Sequence, residues 1–283
     1  MPKLDLRNAI RIKGAGGEIN ALKGQGFSWT KPSGDVDPIL AYFQSTGADG
    51  AYYTPWDKST LFQDEAGTIP VVNDGDPVGL MLDVSGNNKH FKQAISASRP
   101  QYRTDGIYHW LEFDGVDDYL TTGVQAPIVS PTEGITVVLA TRRTSINNPI
   151  GLNQYEAVIG GRLFGMNVGS IDLPDYRGFI FNGQSFSNFV SLLTPVGVNM
   201  IITIRNSGIG TVTTASIDGV IDQTQFAVTE QDWTDQDVLL GSYRNIIYAK
   251  GRFYGLARVR TALSTSDVVS FEQQLASKTG VTL

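Results

Sequence analysis

The sequence predicts an all-β sandwich closed by one C-terminal amphipathic helix and preceded by a small N-terminal β arm. Three observations predict it. Short runs rich in β-branched and aromatic residues recur along the chain, bounded by Gly, Asn, Asp and Pro. The 31 glycines and 12 prolines are spread over its length, as many short strands joined by tight turns require. Only after Ser264 do apolar residues recur at helical spacing.

In chain order, residues 1–30 form the arm. Ala9–Ile12 and the run carrying Ile19 and Leu22 flank Gly14-Ala-Gly-Gly17, which reads as a hairpin of two short strands. Gly24-Gln-Gly26 predicts a tight bend and Phe27-Ser-Trp29 an aromatic anchor. The glycine cluster lacks the lysine and hydroxyl of a phosphate-binding loop. A lone hairpin is marginal in water, so the arm either adds strands to the sandwich or orders on a neighbouring subunit. Residues 1–31 hold six cations against Asp5 and Glu18, a net of +4, which leaves −10 on the rest of a chain whose formal charge is −6. Lys3, Arg7, Arg11, Lys13 and Lys23, with Trp29, are therefore the expected docking set for an acidic partner. A solvated strand face with some lysines is the plain alternative.

Residues 31–58 read as a linker leading into the body, with Tyr52, Tyr53 and Trp56 lying against it. These rings, with Trp110, are the candidate carbohydrate-binding residues, since flat apolar faces suit pyranose rings; core or rim packing is the competing reading. Residues 59–283 form the body. Val78–Leu82 is a short buried strand after the turn-rich Asn73–Pro77. Residues 109–114 alternate, with Leu111 and Phe113 on one face and Trp110 and Glu112 on the other. Asp114-Gly115 then supplies turn chemistry and Tyr119-Leu120 restarts an apolar pattern, which predicts a β-hairpin. Further strands are expected at 134–141, 157–160, 177–181, 198–204, 211–217, 238–241 and 252–259, with Asp218-Gly219 a second hairpin turn. Ser264-Thr-Ser-Asp267 starts a helix on which Val268, Phe271 and Leu275 share one face.

Composition narrows the function classes. The chain has no cysteine, so disulfides and thiolate chemistry are excluded. Charges fall where a secretory signal needs an apolar core, and the longest apolar runs are far shorter than a membrane span. The acidic balance argues against nucleic acid as the main partner. A protein that binds neither membrane nor nucleic acid is expected.

Leu82–His90 (L-D-x-S-G-N-x-x-H), Ser98–Gly106 (S-R-P-x-Y-R-T-D-G) and Leu111–Leu120 (L-x-F-D-G-V-D-D-Y-L) resemble the laminin-G-like, concanavalin A-like jelly-roll domains found in bacteriophage structural proteins. Thr60–Asp64 and Asn73–Gly79 resemble their lead-in, and Phe253–Ser264 with the following helix resembles their end, so the resemblance covers roughly residues 55–283. It implies a concanavalin A-like jelly-roll β-sandwich in a virion protein assembled in the host cytoplasm: a tail-tip, fibre or baseplate component, working as a homo-oligomer with other virion proteins. The jelly roll would face outward toward host-surface glycan. A head or tail decoration protein without a sugar site, and a soluble lectin or carbohydrate-active enzyme, are the alternatives on the same fold.

The fold family also frames the candidate chemistry. Glu112-Phe-Asp114 resembles part of the carboxylate strand motif of laminarinase-type hydrolases, but Gly115 interrupts it and Asp117 stands where an acid glutamate would, so no catalytic residue is expected. His90 and His109 lack metal-ligand spacing. No cofactor is required; Ca²⁺ is the one candidate ion, because such sandwiches bind it through loop oxygens. Its candidate ligands are Asp83 and Asn87 (beside Asn88), the trio Asp114, Asp117 and Asp118, and the pair Asp74 and Asp76. Asx residues are equally the ordinary formers of turns.

Overall fold

A computed structural model describes residues 36–122, 134–142, 144, 197–208, 214–221, 238–242 and 248–283 in full, and the backbone alone of the remaining strands. The chain divides into two compact units, Met1–Asp37 and Pro38–Leu283.

In the first unit, Ala9–Gly14 and Gly17–Leu22 pair antiparallel with Gly14 opposite Gly17, as the glycine cluster predicts. Ser28–Trp29 adds a third strand, with Trp29 opposite Ile19. Arg11 is in register with Asn20 and Lys13 with Glu18. Lys3, Arg7 and Lys23 lie outside the described residues.

The second unit is the expected sandwich of two antiparallel sheets. One sheet is centred on Ile135–Arg143, flanked by Asn199–Asn206 and Lys250–Val259. Lys250–Val259 has two partners along its other edge: His109–Asp114 against its first half and Gly50–Tyr53 against its second. The opposite sheet runs from Phe186–Leu193 through Leu239–Leu240 and Leu120–Thr121 to Leu61–Phe62. Alternation sends Leu111, Phe113, Val137, Leu139, Ile202 and Ile204 into the space between the sheets, where they meet Phe91, Leu120 and Leu240. The opposite side chains, Trp110, Val138, Ala140, Ile201 and Tyr254, pack outward against helices α1 (Pro38–Thr46) and α2 (Thr265–Ala276).

Two expectations change. The 31–58 segment supplies α1 and Gly50–Tyr53 to the body, because Ile39 and Phe43, spaced i and i+4 after a proline at the first helical position, bury against the outer face. The acidic turn is not a hairpin: His109–Asp114 belongs to one sheet and Leu120–Thr121 to the other, where Leu120 pairs with Leu240 and Thr121 with Lys92. Both ends of the turn carry core residues, Phe113 and Leu120, which belong to the one apolar cluster between the sheets. The hairpin that His109–Asp114 does form is with Gln101–Thr104, through a turn in which Asp105 Oδ1 accepts the N–H groups of Ile107 and Tyr108. Asp218-Gly219 forms its hairpin as expected, with φ of +49° and +76° between the paired Ile217 and Val220.

Candidate functional site

The strand His109–Asp114 and the turn after it place two clusters on the body. At the turn, Gly115 adopts φ +79° and the chain folds back on itself. Asp114 Oδ1 accepts the N–H of Val116 at 2.7 Å, and Asp118 Oδ2 accepts the N–H of Asp114 at 3.0 Å. Ser98 donates its hydroxyl to Asp117 Oδ2 at 2.9 Å. One carboxylate oxygen from each of Asp114, Asp117 and Asp118 lies within 4.8 Å of the others. Burial, then the charges of Asp114 and Asp117, push the Asp118 carboxyl up to about 7. A hard cation bound through oxygens at about 2.4 Å spans such a triad. The three carboxylates therefore fit Ca²⁺ in donor type and spacing, and a divalent charge would offset their mutual repulsion.

Asp83 and Asn87 serve a different purpose. The buried Asp83 side chain accepts the N–H groups of Tyr52 and Ser85 on Oδ1 and of Lys89 on Oδ2. Asn87 donates to the carbonyl of Ala48 and to Ser85 Oγ. With the carboxylate taken by three amides, this loop is a knot that ties the 83–90 turn to Gly50–Tyr53, not an ion cage. His90 Nδ1 closes it by accepting the N–H of Asp83. Asp76 likewise accepts two loop amides, from Val72 and Asn73, and Asp74 pairs with Arg103.

The four rings do not form a sugar platform. Tyr52 is 0% and Tyr53 2% exposed, on opposite faces of their strand; Tyr53 packs on Phe91 with ring centroids 4.3 Å apart. Trp110 is 6% exposed, and Trp56 is half-buried beneath Lys278. Tyr52, Tyr53 and Trp110 are packing residues because a strand that is buried on both faces must fill both with apolar side chains, and Trp56 packs from the turn after the first of these strands.

Beside Trp110 the outer face turns polar. Its indole N–H donates to Glu112 Oε2 at 2.6 Å, and Arg252 Cζ stands 4.2 Å from the centre of its ring. Arg252 Nε approaches the same Glu112 oxygen at 3.1 Å, with its N–H not directed at it. Tyr254 donates its hydroxyl to Asn199 Oδ1, and the Asn199 amide donates to the carbonyl of Thr279. Sequence reasoning finds Glu112 and Trp110 on this face; Arg252 and Arg142, distant in the chain, reach it only through strand pairing.

No family model matches the chain, and no curated protein is significantly similar to it. Solved structures do share its architecture. A Trypanosoma rangeli sialidase in complex with sialic acid aligns with TM-score 0.52 at 11% identity, over 81% of this chain and 33% of that one. The binding domain of botulinum neurotoxin serotype D aligns with TM-score 0.52 at 12% identity, over 77% of this chain and 51% of that one. At such identity the likeness establishes the sandwich fold. The chain spans between a third and a half of the length of these proteins.

Proposed function

We propose that this chain is a non-enzymatic, carbohydrate-contacting module of a bacteriophage particle, docked through its N-terminal unit and displaying the sandwich outward. The observation that carries the reading is the separation into a small three-stranded unit with a basic sequence and a large acidic sandwich. Such a division suits one part for assembly and the other for display. The phage setting comes from the sequence resemblance at Leu82–His90, Ser98–Gly106 and Leu111–Leu120. Solved structures with this fold include a sialidase holding sialic acid and a toxin's binding domain, which is consistent with contact to sugars. Binding rather than hydrolysis is favoured by the state of the carboxylates. Glu112 is engaged by Trp110 and Arg252, and Asp114 caps its turn, whereas a glycosidase keeps two acids free on either side of a bond.

The test is a glycan array probed with the full chain in multivalent form, since single-site affinity for sugars is weak and copy number multiplies it. Binding to a defined set of glycans without their cleavage is the expected result. Stoichiometric incorporation in particles with no glycan bound would favour the decoration alternative, and released sugar would overturn the non-enzymatic reading.

A further inference from the structure

Five directly opposed residues cross five adjacent strands on the outer face: Gln101, Glu112, Arg252, Arg142 and Asn199. The row holds two arginines at directly opposed positions and one carboxylate. Like charges at directly opposed positions repel, and Glu112 answers only Arg252, while its Oε2 also takes the Trp110 N–H. The Asn199 amide is committed to Tyr254 and Thr279. Among the described residues the Arg142 side chain makes no hydrogen bond or ion pair, and its buried Nε–H has no acceptor. The Nε–H of Arg252 is buried without a well-directed acceptor as well. The row therefore carries one surplus cation: Arg252 is paired with Glu112, while the half-exposed Arg142 meets no carboxylate among the described residues, and such a charge attracts an anion that the row does not itself contain. The guanidinium fork matches two coplanar oxygens, the geometry of a carboxylate. The half-exposed Glu112 and exposed Gln101 lie next along the row and offer acceptors and donors for hydroxyl groups.

We propose that Arg142 and Arg252 form a binding site for the carboxylate of an acidic sugar, with Glu112 and Gln101 taking its hydroxyls. The inference rests on the carbohydrate-contact reading and names the class of glycan that the body accepts. The surplus positive charge is local, set on a body whose sequence is acidic, so neutral ends of a glycan are not attracted here and binding weakens with salt.

The experiment is an NMR titration of the full chain following the arginine Nε–H resonances, with methyl glucuronide, methyl glucoside, acetate and inorganic phosphate as separate probes. The glucuronide is expected to shift the Arg142 and Arg252 signals and to bind at least roughly tenfold tighter than the glucoside, the worth of a charge-assisted pair of hydrogen bonds. Arg142→Ala should abolish that preference, and Arg142→Lys, which keeps the charge but not the fork, should retain only part of it, both with the backbone amide spectrum unchanged. Equal binding of the two glycosides would overturn the carboxylate site while leaving carbohydrate contact standing. Shifts from acetate or phosphate with neither glycoside binding would overturn the acidic-sugar assignment and make the row a plain anion site, the carbohydrate reading being decided separately by the multivalent glycan array.

Discussion

The Asp118 carboxyl, pushed up to about 7 by burial and by its acidic neighbours, makes stability depend on pH in a direction opposite to that of most carboxylates. In the unfolded chain it ionises near about 3.9. Between that pH and about 7 the folded state keeps the proton and the unfolded state does not, so stability falls as pH rises and levels off above about 7. In calcium-free buffer, the melting temperature of Asp118→Asn should exceed that of the parent chain at pH 8 and converge with it near about pH 4; identical profiles would show that Asp118 is not perturbed. Calcium should raise the melting temperature of the parent above pH 7 and leave Asp118→Asn little changed, because the cation stabilises only the state that gathers Asp114, Asp117 and Asp118. A chain indifferent to millimolar calcium would rule the triad out as a site. The acidic cluster is legible in the sequence, because three aspartates within five positions must lie close. The burial of Tyr52 and Tyr53 is not, since whether a ring stacks on a sugar or on Phe91 depends on a strand from elsewhere in the chain.

At the scale of elements, helix α2 is fixed to the sheet by chemistry as well as by its apolar face. Ser264 caps it, its hydroxyl accepting the N–H of Asp267. Phe271 and Leu275 bury against the outer face, and between them the buried Glu272 accepts hydroxyl donors from Thr203 at 2.6 Å and Ser216 at 2.9 Å on two neighbouring strands. Burial and the Glu272 charge hold the Asp218 carboxyl above its usual range. Glu272→Ala should destabilise the body by about 1–3 kcal/mol, because two buried hydroxyls lose their acceptor, and Glu272→Gln by less; denaturant unfolding reads the difference. A loss within experimental error for Glu272→Ala would mean that the apolar face alone docks the helix. The cap and the apolar spacing of α2 are read from adjacent residues. Glu272's partners cannot be, since Thr203 and Ser216 lie on strands far from the helix in sequence and meet it only in the folded sheet. The acidic turn makes the same point: local turn chemistry is the same whether the next strand pairs back or crosses to the other sheet.

For the whole molecule, the division at Asp37/Pro38 predicts separability. Deleting residues 1–37 should leave a body with an unchanged melting transition that no longer incorporates into particles. Normal incorporation of the shortened chain would refute docking by the arm. The sandwich, the arm hairpin, the Asp218-Gly219 turn and the closing helix are all legible in the residues, because each rests on periodicity, turn residues or caps within a few positions. Which strands are buried on both faces, which sheet receives Leu120 and which charges meet depend on how distant segments pack. Arg142 and Arg252 stand opposite each other because Ile135–Arg143 and Lys250–Val259 pair, and beyond the bulge at Ala140/Thr141 their register brings the two arginines onto one row. Side-chain direction is a local property of a strand; neighbours across a sheet are set by register, which the packing of the whole core fixes.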